Sequence, residues 1–127
     1  MEEKNRFERG METLREVDGN TGQEVVEALE DVAPDLGRYI VEFAFGDVYS
    51  RPDLSLRDRE LVTLASLCTQ GDTAPQLEVH INAALNVGLS RQEIIGCFIQ
   101  CVPYTGFPRV LNAVAVVRRV FAAREHS

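Results

Sequence analysis

A carboxylate and an imidazole on successive stretches of this sequence could together move a proton near neutral pH: Glu60, in SLRDRELVTLASLC (55–68), and His80, in QLEVHINAALNVG (76–88). His80 is one of two histidines, and the other, His126, lies next to the end of the chain. In a helix, residues three and four apart share a face. His80 then stacks over Gln76, Leu77, Ala84 and Val87 at the edge of an apolar stripe. Glu60 lies over Thr63, Leu64 and Leu67, beside the apolar face rather than opposite it. If the two stretches form consecutive antiparallel helices, the carboxylate and the imidazole can meet. Burial raises the pKa of a carboxylic acid and a carboxylate neighbour raises that of an imidazole, so such a pair in an apolar pocket can exchange a proton with a ligand. The same residues also fit a plainer reading, an exposed helical glutamate and a satisfied core or surface histidine.

Other templates for chemistry fail on the residues present. There is no glycine-rich phosphate loop, no Gly-x-Ser-x-Gly elbow and no histidine-rich cluster. One internal histidine cannot make the usual zinc site, which needs three or four converging ligands, so no metal is expected. Cys68, Cys97 and Cys101 are odd in number and contain no Cys-x-x-Cys pair, which argues for reduced thiols. Cys97 and Cys101, four apart, fall with Ile94 and Phe98 on one helix face, where free cysteine behaves as a small hydrophobe poorly aimed for a disulfide. Arg57, Arg59 and Arg109 could each hold a carboxylate, although a solvated or ion-paired arginine is the ordinary state on a charge-rich surface.

The elements that must position these groups read as helices. A short amphipathic segment covers about 6–16, before the turn DGNTG at 18–22. Thr21 with Glu24 has the form of a capping box, followed by Val25, Val26, Leu29 and Val32 at helical spacing. A helix restarts with Pro34 in its first turn and Leu36, Ile40 and Phe43 as its stripe. RPDLS at 51–55 breaks the chain. Ser55 with Asp58 opens the helix of Glu60, whose Leu61, Leu64, Ala65 and Cys68 share a face and which Gly71 stops. Thr73 with Gln76 opens the helix of His80, closed by Gly88. Ser90 with Glu93 opens another, ended by Pro103. The last runs from Pro108 to about Arg124, with Val110, Leu111, Val114, Val117 and Phe121 on more than one face. So apolar a final helix needs cover on two sides, and an oligomer is expected. The expected fold is all-α, a compact bundle of about six or seven helices in a single domain, 1–127.

Composition narrows the function classes. With 127 residues, 45% of them hydrophobic, the chain can bury a core without disulfides or metals. A net charge of −7 argues against a nucleic-acid surface and against an anionic membrane. No apolar run approaches the roughly 20 residues of a membrane span. The opening MEEKNRFERG has no apolar segment of a signal peptide, so a cytoplasmic protein is expected.

The run GDVYSRPDLSLRDRELVTLASL, followed by LEVHINAALNVGLSRQEIIGCFIQCVPYTGFPRVLNAVAVVRRVF, covers about 46–121 and strongly resembles the carboxymuconolactone decarboxylase family, part of the alkylhydroperoxidase D-like superfamily. The most telling pieces are Arg59-Glu60-Leu61, His80 followed by Ala83, Ala84 and Gly88, and Tyr104, Gly106, Phe107 and Pro108 before Asn112. The resemblance implies helical subunits assembled as homotrimers or homohexamers. It also implies a cofactor-free decarboxylase or related lyase, acting on a small carboxylated lactone or related acid as in aromatic compound catabolism. His80 would be the acid that reprotonates carbon, with Glu60 setting its protonation. Tyr104 and Phe107 would line the pocket, and Arg57 or Arg109 would grip a substrate carboxylate. The place of Arg109 usually looks small and apolar in this family, and that of Pro103 non-proline, so this chain departs from the pattern at both.

The peroxidase branch of the superfamily carries Cys-x-x-Cys just before the histidine, where this chain has Thr73 and Gln76. Without thiols there, that branch's disulfide chemistry has no nucleophile, so a peroxiredoxin-type antioxidant activity, the second reading, is disfavoured and would have to use Cys68, Cys97 or Cys101 in an unfamiliar way. A third reading is a non-catalytic oligomeric ligand-binding protein.

Overall fold

Glycines, prolines and one capping box punctuate the chain into helices. The computed structural model describes residues 4–125, and among them there are seven α-helices, one π-helical stretch and no strand. No helix among the described residues is long and apolar enough to cross a membrane. Backbone contacts divide the chain into two compact units, one ending at Leu56 and the other beginning at Arg57.

The first unit holds α1 (Arg6–Asp18), α2 (Asn20–Glu27), α3 (Pro34–Tyr39) and the π stretch Ile40–Val48 that continues α3. Asn5 caps α1 by accepting from the Glu8 amide at 2.8 Å. The capping box expected at Thr21 and Glu24 is absent: Gly19, at φ +60°, both ends α1 and starts α2, with no side-chain cap. Pro34 does sit in the first turn of α3. The expected stripe of Leu36, Ile40 and Phe43 is displaced, with Leu36 and Phe43 exposed and Val41 and Phe45 buried. The cause is the π geometry, in which the Tyr49 amide reaches back five residues to the Ala44 carbonyl at 2.8 Å, so the inward face drifts from α spacing. This stretch crosses α1 almost backbone to backbone. A Cβ on Gly10 would stand 1.9 Å from the Val41 carbonyl oxygen, and one on Gly46 would stand 2.7 Å from that of Arg6. Arg6 and Arg9 both reach Asp47, and Ser50 Oγ donates to the Phe45 carbonyl.

The second unit holds α4 (Leu56–Gln70) from its second residue on, α5 (Ala74–Asn86), α6 (Arg91–Thr105) and α7 (Phe107–Glu125). Here α7 packs against both α5 and α6. One core cluster joins Leu64 and Cys68 of α4, Leu77, Ile81 and Ala84 of α5, Ile94, Phe98 and Cys101 of α6 and Val110, Ala113, Val116, Val117 and Val120 of α7. Gly88, at φ +102°, ends α5 in a Schellman turn: the Leu89 amide bonds the Ala84 carbonyl at 3.0 Å, and Leu89 tucks into the core. Ser90 and Glu93 form the expected capping box of α6. Two expectations fail. Thr73 makes no cap bond and its hydroxyl instead donates to the Leu67 carbonyl at 2.7 Å, tying α5 back to α4. Pro103 lies inside α6, which runs on to Thr105 before Gly106. The carbonyl that loses its donor there belongs to exposed Ile99, which water can satisfy. On α7, Val110 and Val117 belong to the chain's own core, and the outward apolar residues are Phe107 and Leu111.

Candidate active site

Helix α4 repeats Glu60, Leu64 and Cys68 at four-residue spacing, and all three are buried in the same stripe. Glu60 therefore points inward, at 0% exposure, rather than along the helix's edge. On α5 the inward residues are Leu77, Ile81 and Ala84. His80 precedes Ile81 by one residue, so it sits about 100° round the helix from the core direction. Its side chain keeps 20% exposure. His80 Nδ1 and Glu60 Oε2 are 3.0 Å apart. A carboxylate taken wholly out of water needs hydrogen-bond partners, and the imidazole supplies one. With Glu60 ionised, Nδ1 carries the proton and donates to Oε2, so exchange with a ligand falls to Nε2.

The other expected site residues lie outside this pair. Arg57, expected as a grip for a substrate carboxylate, already holds one: its Nη2 is 2.6 Å from Glu93 Oε2 and its Nε is 3.5 Å from the Gly88 carbonyl. That clamp ties the start of α4 to the start of α6. It keeps the Arg57 guanidinium above its ordinary value, while the Ser90 amide and then Arg57 hold the Glu93 carboxyl below the usual carboxylate range. Tyr104 and Phe107, expected to line a pocket, are 83% and 66% exposed on the single chain. Arg109 reaches across the α4–α5 turn, where a Cβ on Gly71 would come within 2.6 Å of its Nε. It lines a cavity of about 290 Å³ together with Cys68, Thr73, Asn112 and Arg119. Reading the sequence missed this cavity; its signal is Arg109, Asn112 and Arg119 at i, i+3 and i+10, one stripe of α7.

Residues 34–119 match the model of the carboxymuconolactone decarboxylase family. The chain belongs to that family. Among its relatives is the 4-carboxymuconolactone decarboxylase of Acinetobacter baylyi, 33% identical over 122 residues that cover 95% of this chain and 90% of the relative. The nitrosuccinic acid decarboxylase of Metarhizium robertsii is 30% identical over 117 residues, covering 89% of this chain and 79% of the relative. Peroxisomal protein 2 of Saccharomyces cerevisiae is 29% identical over 89 residues, 69% of this chain and 31% of the relative. The stretch that matches the family contains Glu60, His80, Tyr104, Phe107, Arg57 and Arg109.

The thiols of this family member are placed for packing. All three cysteines are free, and Cys68 and Cys101 are buried. Burial first, then the neighbouring thiol of Cys101, pushes Cys68 and Cys97 up to about 11. Cys97 Sγ is 3.6 Å from the Leu61 carbonyl, and Cys68 Sγ is 3.9 Å from that of Arg109. A thiol held protonated at neutral pH is a poor nucleophile. Among the described residues, no three His, Cys, Asp or Glu side chains converge as a metal site.

Proposed function

We propose that this member of the family is a carboxy-lyase that removes CO2 from a small carboxylated lactone or related acid, with His80 and Glu60 in proton transfer. In such a substrate the bond from ring carbon to carboxylate breaks, and its electron pair spreads through the adjacent double bond onto the lactone carbonyl. The resulting dienolate takes a proton at the far carbon, so one proton is consumed for each CO2 released. The substrate carries its own electron sink, and the reaction asks the protein for a proton donor and for stabilisation of the oxyanion. His80 Nε2 gives the proton, and Glu60, holding Nδ1, orients the ring and balances the imidazolium. The observation that carries this reading is the 3.0 Å contact between an imidazole that is one-fifth exposed and a fully buried carboxylate. The names of the two decarboxylase relatives support the reaction class.

The test is CO2 release from 4-carboxymuconolactone in D2O, with the product analysed for deuterium at carbon. His80→Ala and Glu60→Gln are expected to lower kcat by about 10²- to 10⁴-fold, the usual contribution of a positioned acid. Full turnover by His80→Ala would remove the assignment.

We propose also that the chain works as a homotrimer or homohexamer. Ile95 and Ile99 of α6 and Phe107 and Leu111 of α7 are large, apolar and exposed on two helices that pack together. An apolar surface of that kind is a usual mark of a subunit interface. Light scattering at micromolar concentration decides it, and a stable folded monomer would refute it.

A further inference from the structure

We propose that the cavity walled by the start of α5 and one stripe of α7 is a binding site for a small dicarboxylic acid with a short hydrocarbon middle. Neither Glu60 nor His80 lines it, and the proposal stands on the cavity alone, so it can hold or fail independently of the proton-transfer reading. The two guanidiniums of the wall, Arg109 and Arg119, come from positions about 15 Å apart along α7. Asn112 stands between them in the sequence, and the buried side chains of Leu77 and Val116 supply an apolar floor. A cation toward each end and hydrocarbon between them complement two carboxylates joined by a few carbons. The volume of about 290 Å³ sits at the small end of ligand pockets, which suits a molecule of that size.

The charges favour an anion in a chain that is acidic overall. Arg6, Arg38, Arg51, Arg57 and Arg91 each pair with a carboxylate. Among the described residues no carboxylate pairs with Arg109 or Arg119, although the chain carries 20 acidic residues against 13 basic ones. Asp72 also lines the cavity, so its walls sum to one positive charge, to which the start of α5 adds the partial charge of a helix N-terminus. The turn is built around the first of these arginines. Gly71 takes φ +72° and leaves no room for a Cβ beside Arg109 Nε, so the guanidinium lies across the turn. Arginine presents a planar fork that bonds a carboxylate bidentately, which makes it the fitting residue for this task.

Glutarate is the probe, titrated into the full chain at constant ionic strength and followed by amide NMR. Saturable shifts are expected at Gly71, Thr73 and Asn112. Arg109→Gln and Arg119→Gln are each expected to weaken binding by about tenfold, as the loss of one charge-assisted pair implies. Ala115→Phe, which fills the cavity and leaves every charge in place, is expected to abolish it, and Glu60→Gln to leave it unchanged. Circular dichroism is the control for folding, and the variants are expected to keep their helices, since all three cavity positions are exposed on α7. Absence of saturation at about 20 mM glutarate would overturn the proposal, since two exposed arginine–carboxylate pairs at up to about 1 kcal/mol each do not by themselves saturate there. So would equal binding by butyrate or sulfate, unchanged binding in the double arginine variant, or equal loss in Glu60→Gln.

Discussion

Replacing His80 by leucine keeps side-chain bulk and leaves Glu60 without its 3.0 Å partner. The carboxylate is fully buried, so water cannot simply take the place of the imidazole on every side. A hydrogen bond to a charged group contributes about 1.5–3 kcal/mol, and stripping one member from a fully buried pair costs roughly 3–5 kcal/mol. His80 is one-fifth exposed, so water gains some access to the vacated side and the smaller range applies. His80→Leu is therefore expected to cost about 2 kcal/mol, which for a chain of this length lowers Tm by roughly 6–10 °C. Glu60→Gln keeps shape and an acceptor while losing charge, at about 1 kcal/mol. The double variant should cost about 2 rather than 3 kcal/mol, because glutamine tolerates the loss of the imidazole better than a carboxylate does, leaving a coupling near 1 kcal/mol. The assay is urea unfolding followed by far-ultraviolet circular dichroism at neutral pH and fixed protein concentration. A His80→Leu chain within about 0.5 kcal/mol of the parent, or strict additivity in the cycle, would show that the contact carries no energy and refute the reasoning.

Gly10→Ala should destabilise by about 1–3 kcal/mol, since its Cβ meets the Val41 carbonyl, whereas Gly96→Ala, with nothing within 4 Å, should stabilise by about 0.5–1 kcal/mol; thermal melts compare them. Cys68 and Cys97, pushed up to about 11, should react with iodoacetamide at pH 8 far more slowly than a free thiol, as intact-mass spectrometry will show. Because the folded pKa of Glu93 lies below its ordinary 4.5, its stabilising effect is complete above that pH and fades as pH falls through the folded value. The stability gap between the parent and Glu93→Gln should accordingly be full at pH 7 and close in acid. Leu111→Lys should lower the oligomeric state with the helices intact, while Val117→Lys, placing a charge in the subunit's own core, should unfold the second unit; light scattering and circular dichroism separate the two outcomes.

The sequence made most legible those features whose causes are local. Pro34, Gly71, Gly88 and the Ser90–Glu93 box act within one turn of the backbone, and each marks a helix boundary where the sequence places it. Glu60 and His80 were legible because helical spacing puts both toward one side of consecutive helices, where 20 residues of chain return on themselves. Features settled by a distant partner were not. Thr73 looks like a cap, but a carbonyl six residues back takes its hydroxyl. Arg57 looks like a substrate grip until α6 brings Glu93 to it, 36 residues on. Val117 reads as an interface residue because nothing nearby in sequence announces that α5 and α6 both pack on α7. The stripe from Leu36 to Phe43 misled for a different reason: its period is that of an α-helix, and the chain there is not one.

That stretch makes chain length itself a variable of the first unit. A π-helix closes each backbone bond around one residue more than an α-helix does, so it behaves as an α-helix holding a surplus residue. Residues 40–48 can give one up by rewinding to α geometry, with no loop to rebuild. Plain α geometry with the residue kept would instead turn everything after it by about 100°, carrying Gly46 away from the backbone of Arg6 and Asp47 away from Arg6 and Arg9. The surplus residue is therefore a register setting: it aligns one glycine and one carboxylate with α1 at the same time, and the helix's length is under the same constraint as its composition.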